Sequence, residues 1–197
     1  MSRYTIGSLV LISAVLAASG SFAANKLIIG DSSPQWTGIV GTDDKPHSLA
    51  DSKDAKAVVV VFTCNHCPVA TAYQERLIAL QNDYKDKGVQ VIAICVNKGS
   101  ADDLDAMKKR AASAGFNFPY LYDPTQQVGR DYGATCTPHA FILNKDRKLA
   151  YMGAIDDNTH ADKAEKHYVR TALDALLGGK TPETPVTRQV GCAIHYE

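Results

Sequence analysis

The sequence predicts an α/β fold of three layers, a central mixed β-sheet with helices on both faces and a β-hairpin extension at its N-terminal side. Three observations predict it. The continuous apolar run Ala57 to Phe62 and the stretch Val89 to Val96, apolar but for Gln90, have the β-branched content of strands buried on both faces. The segment between them, Val69 to Lys87, carries helical spacing, which makes a parallel β-α-β unit with a crossover helix. His139 to Leu143 and Lys148 to Met152 then read as a strand pair joined by the turn Asn144-Lys145-Asp146-Arg147, with a helical stretch closing the domain.

Each element has its own local reason. The chain starts with Arg3, an apolar stretch from Ile6 to Ala18 and the small-x-small sequence Ser21-Phe22-Ala23. That is the pattern of a bacterial secretory signal cleaved after Ala23, and its apolar core is too short for a comfortable membrane span. The expectation is residues 1–23 as a leader and residues 24–197 as one exported domain, periplasmic or secreted and with no membrane attachment after cleavage. Asn25 to Ser48 reads as a short strand, Lys26 to Ile29, followed by a hairpin, with turn clusters at Gly30 to Pro34 and Thr42 to Pro46.

In Val69 to Lys87, residues Tyr73, Leu77, Leu80 and Tyr84 fall on one face, and Gly88 stands at the C-cap position. Ser100 to Ala114 is a helix with Ser100 as N-cap, Asp102 and Asp103 in the first turn, and Lys108, Lys109 and Arg110 near the end before Gly115. Phe118 to Tyr122 is a short strand. Asp123-Pro124 opens a turn, and Thr125 to Tyr132 is a brief helix ended by Gly133. Thr159 to Leu177 is the last long helix, stopped by Gly178-Gly179, and 180–197 form a Pro-containing tail.

The formal charge of the whole chain is zero, and removal of Arg3 with the leader leaves one net negative charge. No basic block or basic-aromatic interleaving is present, which argues against a nucleic-acid partner. The five cysteines, Cys64, Cys67, Cys95, Cys136 and Cys192, all lie beyond the leader. In an oxidising compartment disulfides persist, and an odd count leaves at least one thiol unpaired in a monomer. Cys95 ends a strand and reads as a small core residue.

Cys64-Asn65-His66-Cys67 stands where the first buried strand gives way to helix. A sulfur at a helix start faces unpaired N–H groups and the positive end of the dipole, and both favour the thiolate that reacts in disulfide exchange. Cys64 is therefore the expected nucleophile and Cys67, one turn on, the thiol that resolves its mixed disulfide. His66, between them, is expected to lower the Cys64 pKa. Pro68 has no amide to donate to the Cys64 carbonyl, so the regular helix can start nearer Cys67, with Cys64 to Cys67 as a tighter turn. The competing readings are a structural disulfide or half a zinc site. No second Cys-x-x-Cys or His-x-x-x-His supplies the other zinc ligands, and no metal or cofactor is expected.

With these residues in place, the chain resembles the thioredoxin fold, and more closely its redoxin branch related to peroxiredoxins of the AhpC/TSA type. The stretches that carry the resemblance are Gly30 to Pro34, Phe62 to Pro68, Tyr122-Asp123-Pro124 and Tyr132 to Pro138, with Val190-Gly191-Cys192 in the tail. The resemblance implies a thiol-disulfide oxidoreductase acting on protein or small-molecule disulfides together with a redox partner. It implies that Pro138 is a cis-proline opposite the active site, that Thr137 is left to pair with a substrate strand, and that Thr63 lies at the substrate edge. It also brings Cys136 near Cys64, which leaves three readings open: a Cys136–Cys192 bridge that pins the tail, Cys136 as a third redox thiol, or two free, inert cysteines. A thiol peroxidase is the second reading. The peroxidatic pattern has a Thr three residues before its cysteine, whereas Thr63 directly precedes Cys64. The third is a Sco-like Cu(I) chaperone, with His139 joining Cys64 and Cys67.

Overall fold

The computed structural model describes residues 27–197; the expected leader and Lys26 lie outside them. The chain runs β1 (Ile39–Gly41), β2 (Pro46–His47), β3 (Ala57–Phe62), α1 (Pro68–Ala72), α2 (Gln74–Tyr84), β4 (Val89–Cys95), α3 (Leu104–Ala114), β5 (Tyr120–Tyr122) and α4 (Gln127–Tyr132). It continues through β6 (Cys136–Thr137), β7 (His139–Leu143), β8 (Leu149–Gly153), α5 (Tyr168–Leu177) and β9 (Cys192–Ala193). One sheet has the order β2-β1-β5-β4-β3-β7-β8, and a second small sheet pairs β6 with β9. β3, β4 and β5 run parallel, while β7 and β8 are antiparallel additions on one side and β1 and β2 on the other. This is the mixed sheet with helices on both faces that the sequence predicts.

The pleat of β3 shows how the two cores are built. Its six residues are all buried. Ala57, Val59 and Val61 face a cluster with Leu77, Leu80 and Tyr84 of α2, Met107 of α3 and Val169 and Leu173 of α5. Val58, Val60 and Phe62 face the other side, with Trp36, Leu49, Val128 and Tyr132 of α4, and Ile194 of the tail. Side chains alternate faces along a strand, so a continuous apolar run is required when both faces are covered.

Four elements differ from the sequence reading. Leu27 to Ile29 is not a strand. The segment follows the edge of β8 through single bonds, with Gly30 N–H donating to Leu149 O (2.8 Å) and Ser33 N–H to Arg147 O (2.8 Å). The first helix breaks at Tyr73, whose N–H donates to Ala70 O (3.1 Å) in a tightened turn. The helix expected from Ser100 begins at Asp103, whose carboxylate caps it by accepting from Ala106 N–H (2.8 Å). Finally, Thr159 to His167 is irregular apart from a short 3-10 turn, and α5 starts at Tyr168. Local polar side chains compete for that backbone: Asp157 accepts from Glu165 and Lys166 N–H (3.0 and 3.1 Å), and Asn158 from His160 N–H (3.0 Å).

Candidate active site

The strand β3 ends at Phe62 and delivers Thr63 to Cys67 onto the end of the sheet where α/β folds place their sites. Pro68 occupies the first helical position of α1, with Cys67 as its N-cap. The missing amide of Pro68 moves the helix start past Cys64, so the helix faces Cys67 rather than the cysteine expected to be nucleophilic. The Cys67 sulfur accepts from Ala70 N–H at 3.4 Å and, as a thiol, donates to the Thr137 carbonyl at 3.1 Å. Cys64 lies beside the same residue, its sulfur 3.2 Å from the Thr137 hydroxyl. The Thr137–Pro138 peptide is cis, so the two sulfurs converge on the residue that precedes a cis-proline.

The two thiols are not equivalent. Burial pushes the Cys64 thiol up to about 11; the Thr137 hydroxyl opposes this and the charge of Asp102 adds to it. Burial also pushes Cys67 up, but hydrogen bonds from the Cys192 thiol and the Ala70 N–H outweigh it and hold Cys67 below the ordinary thiol range. By these directions Cys67 rather than Cys64 is the more easily ionised sulfur.

The residues between the cysteines are tied to a segment that the sequence reading placed inside a helix. Asp102 is buried, and its carboxylate accepts from Asn65 N–H (2.7 Å), from His66 N–H (3.2 Å) and from the His66 ring at Nδ1. Asn65 donates through Nδ2 to Ala101 O (2.9 Å) and accepts from the Tyr120 hydroxyl (3.1 Å). His66 is therefore half-exposed and paired with Asp102, a carboxylate that itself opposes ionisation of Cys64. The available signal for Asp102 was the doublet Asp102-Asp103. A helix has one N-cap, so one of two adjacent acids is free for another task.

Among the described residues, Cys64, His66 and Asp102 form a group of three ligand-type side chains with donor atoms within 4.8 Å of one another. His139 is not in it. Successive strand residues point to opposite faces, and His139 lies against Phe141 (ring centroids 4.4 Å apart) on the face away from the cysteines. The copper set of Cys64, Cys67 and His139 is thus not assembled. Burial holds the His139 imidazole down at about 4.

The expected bridge between Cys136 and Cys192 is also absent, and both are free thiols. Antiparallel pairing of β6 with β9 sets Thr137 opposite Cys192 and Cys136 opposite Ala193. Neighbouring residues of a pleated strand face opposite ways, so Cys192 shares a side with Thr137 and approaches Cys67 instead. The edge of Thr137 expected to receive a substrate strand is occupied by the chain's own tail. Thr63 is buried, and its N–H donates to Ile94 O (3.0 Å), so the sheet holds it rather than a substrate.

A second cluster was not read from the sequence. Tyr73 donates to Asp156 (2.7 Å) and Arg76 pairs with the same carboxylate (2.5 Å). Arg76 also grips the Asn158 and Thr159 carbonyls (2.7 and 2.5 Å) and stacks over the Tyr73 ring at 3.7 Å. This cluster walls a cavity of about 280 Å³ that runs from Val69 and Pro138 to Arg188 and Val190, directly beside the cysteine loop.

Comparison with known proteins places this arrangement. The structure is similar to an uncharacterized conserved protein from Geobacillus kaustophilus, with a TM-score of 0.81 and 36% identity over 88% of this chain and 94% of that one. It is equally similar to a hypothetical protein from Sinorhizobium meliloti 1021, with a TM-score of 0.81 and 30% identity over 88% and 97% of the two chains. Its likeness to a putative thiol:disulfide interchange protein DsbE from Chlorobium tepidum, TM-score 0.61 at 23% identity over 78% and 98% of the chains, shows a shared fold. Fold and site together define an oxidoreductase built on the thioredoxin fold. The sequence profile of the Redoxin family matches residues 28–171, and the chain belongs to that family. A curated relative, the thiol-disulfide oxidoreductase ResA of Bacillus thuringiensis strain Al Hakam, is 30% identical over 132 residues, covering 66% of this chain and 72% of the relative. The chain is a thiol-disulfide oxidoreductase by class.

Proposed function

We propose that the protein exchanges disulfides through Cys64 and Cys67 outside the cytoplasm, with Cys67 as the attacking thiol and Cys64 as its resolving partner. The observation that carries this is the convergence of both sulfurs on Thr137, at 3.2 and 3.1 Å, next to the cis-proline. In the forward step the Cys67 thiolate attacks one sulfur of a substrate disulfide and the other substrate sulfur leaves as a thiolate. Cys64 then attacks the Cys67 sulfur, releases the second substrate thiol and closes the Cys64–Cys67 disulfide. The substrate is reduced by two electrons and the dithiol is oxidised by two. Asp102, Asn65 and Tyr120 hold the loop that carries the two sulfurs. The export part of the proposal rests on the pattern Arg3, Ile6 to Ala18 and Ser21-Phe22-Ala23.

The test is insulin reduction and glutathione exchange with the wild type, Cys64→Ser and Cys67→Ser. Loss of attack on the substrate disulfide in Cys67→Ser, with Cys64→Ser still releasing a first equivalent of glutathione from glutathione disulfide through Cys67, supports the proposal. Full exchange by Cys67→Ser overturns it. Peroxide consumption with dithiothreitol at rates well above free thiol would favour the peroxidase reading instead.

A further inference from the structure

We propose that Cys192 is a third exchanging thiol, seated against Cys67 by the C-terminal strand, so that Cys67 can switch its disulfide partner from Cys64 to Cys192. The proposal rests on the exchange chemistry above and extends it to a residue in the tail.

The geometry carries it in four ways. First, β9 pairs antiparallel with β6 and places Cys192 directly across from Thr137. Addition of an extended segment to a free strand edge is how a peptide docks beside such a site, and here the chain's own tail takes that position. Second, the approach is close enough to require glycine before the cysteine. A Cβ on Gly191 would lie 2.1 Å from the Thr137 carbonyl oxygen and 3.1 Å from Pro138 N, both backbone atoms. Third, the strand is held on its far side. Ile194 N–H donates to Thr135 O (3.0 Å), Tyr196 donates to Ala134 O (2.7 Å), and Gln126 accepts from Glu197 N–H (2.8 Å). Ile194 is itself buried in the core. Fourth, Cys192 packs against the cluster that holds Cys64 and Cys67, close enough that its ionisation and that of Cys67 are linked, while Cys136, the other thiol of this small sheet, sits in the neighbouring register position. Cys192 is also partly exposed, whereas Cys64 and Cys67 are buried. It is the thiol of the three that solution reagents reach first.

The step balances internally. Starting from the Cys64–Cys67 disulfide left by substrate reduction, the Cys192 thiolate attacks the Cys67 sulfur. The Cys67–Cys192 bond forms, the Cys64–Cys67 bond breaks, and Cys64 leaves as a thiolate that takes up the proton Cys192 gave up. No electron enters or leaves. The product clamps the tail over Thr137, and an external thiol that reduces Cys67–Cys192 at the partly exposed sulfur reopens the site.

The experiment uses full-length Cys64→Ser treated with glutathione disulfide. Cys67 attacks the reagent and releases one glutathione, and Cys192 then displaces the second. The expected product is monomeric, lighter by two hydrogens, and yields one peptide pair joined through Cys67 and Cys192. Accumulation of a stable Cys67–glutathione adduct with Cys192 still open to alkylation overturns the proposal. Should Cys64→Ser not fold, the wild type is equilibrated across glutathione redox buffers and mapped without reduction. A Cys67–Cys192 link beside the Cys64–Cys67 link supports the proposal, and a Cys64–Cys67 link alone overturns it. Absence of the Cys64–Cys67 disulfide together with absence of insulin reduction is a different result, since it removes the function on which the relay is built.

Discussion

Gly191→Ala tests whether the tail controls access to Cys67. The added methyl would sit 2.1 Å from the Thr137 carbonyl oxygen, 2.6 Å from its carbon and 3.1 Å from Pro138 N. Ordinary contacts there exceed 3.4 Å, so one strand must move by more than an ångström, and all three opposing atoms are backbone. β6 is anchored through Cys64, Cys67 and the cis-proline, whereas the tail is held mostly by its own hydrogen bonds, so the tail moves. Two to three bonds are lost, the Thr137–Cys192 pairing and Ile194 N–H to Thr135 O among them. At about 1 kcal/mol net for each, the closed state loses about 2–3 kcal/mol. Each 1.4 kcal/mol is about tenfold, so the open fraction rises about 30- to 150-fold. The assay is the rate of Cys67 alkylation by iodoacetamide at neutral pH, followed by peptide mass spectrometry. Labelling through local opening reports the open population when closing is fast. Far-ultraviolet circular dichroism should be unchanged, because the seven-stranded sheet is untouched. A Cys67 labelling rate within about threefold of wild type would refute the reasoning.

Wild-type protein, with its tail in place, should show two separate titrations for Cys67 and Cys64 in its alkylation rates against pH. Cys67 reacts from below the ordinary thiol pKa, and Cys64 stays unlabelled until pH nears 11; equal midpoints would contradict this. His139 is buried and neutral, with its pKa lowered from 6.5 to about 4. The unfolded chain binds this proton and the folded one does not, so stability falls as pH drops from about 6.5 towards 4, by about 3 kcal/mol. Urea midpoints at pH 4.5 and 7 measure the slope, and His139→Gln should flatten it. Arg76→Met leaves the Asp156 carboxylate buried with only Tyr73 and local amides as partners, and should cost about 3–5 kcal/mol in chemical denaturation. Asp156→Asn in the same background should return part of the loss.

The sheet strands were legible because each carries its own signal. Continuous β-branched runs require burial on both faces, and Asn144 to Arg147 is a turn in any context. The α3 boundary was blurred because Ser100, Asp102 and Asp103 are all competent caps, and only packing chooses among them. The length of α5 was overread for a related reason. Asp156, Asp157 and Asn158 accept bonds from the backbone N–H groups that follow them, and Arg76, far away in sequence, holds two of the freed carbonyls.

By itself the sequence determined the fold class, the redoxin family, the Cys64-x-x-Cys67 dithiol and the shift of the helix start that Pro68 imposes, since these follow from local patterns and from the covalent chemistry of single residues. Tertiary structure alone decided that both sulfurs converge on Thr137, that Asp102 holds the intervening loop, and that Cys192 stands opposite Thr137 rather than pairing with Cys136. Those depend on strand register and burial. A register is set by contacts between segments more than fifty residues apart, and shifting it by one residue turns every side chain of the tail to the other face.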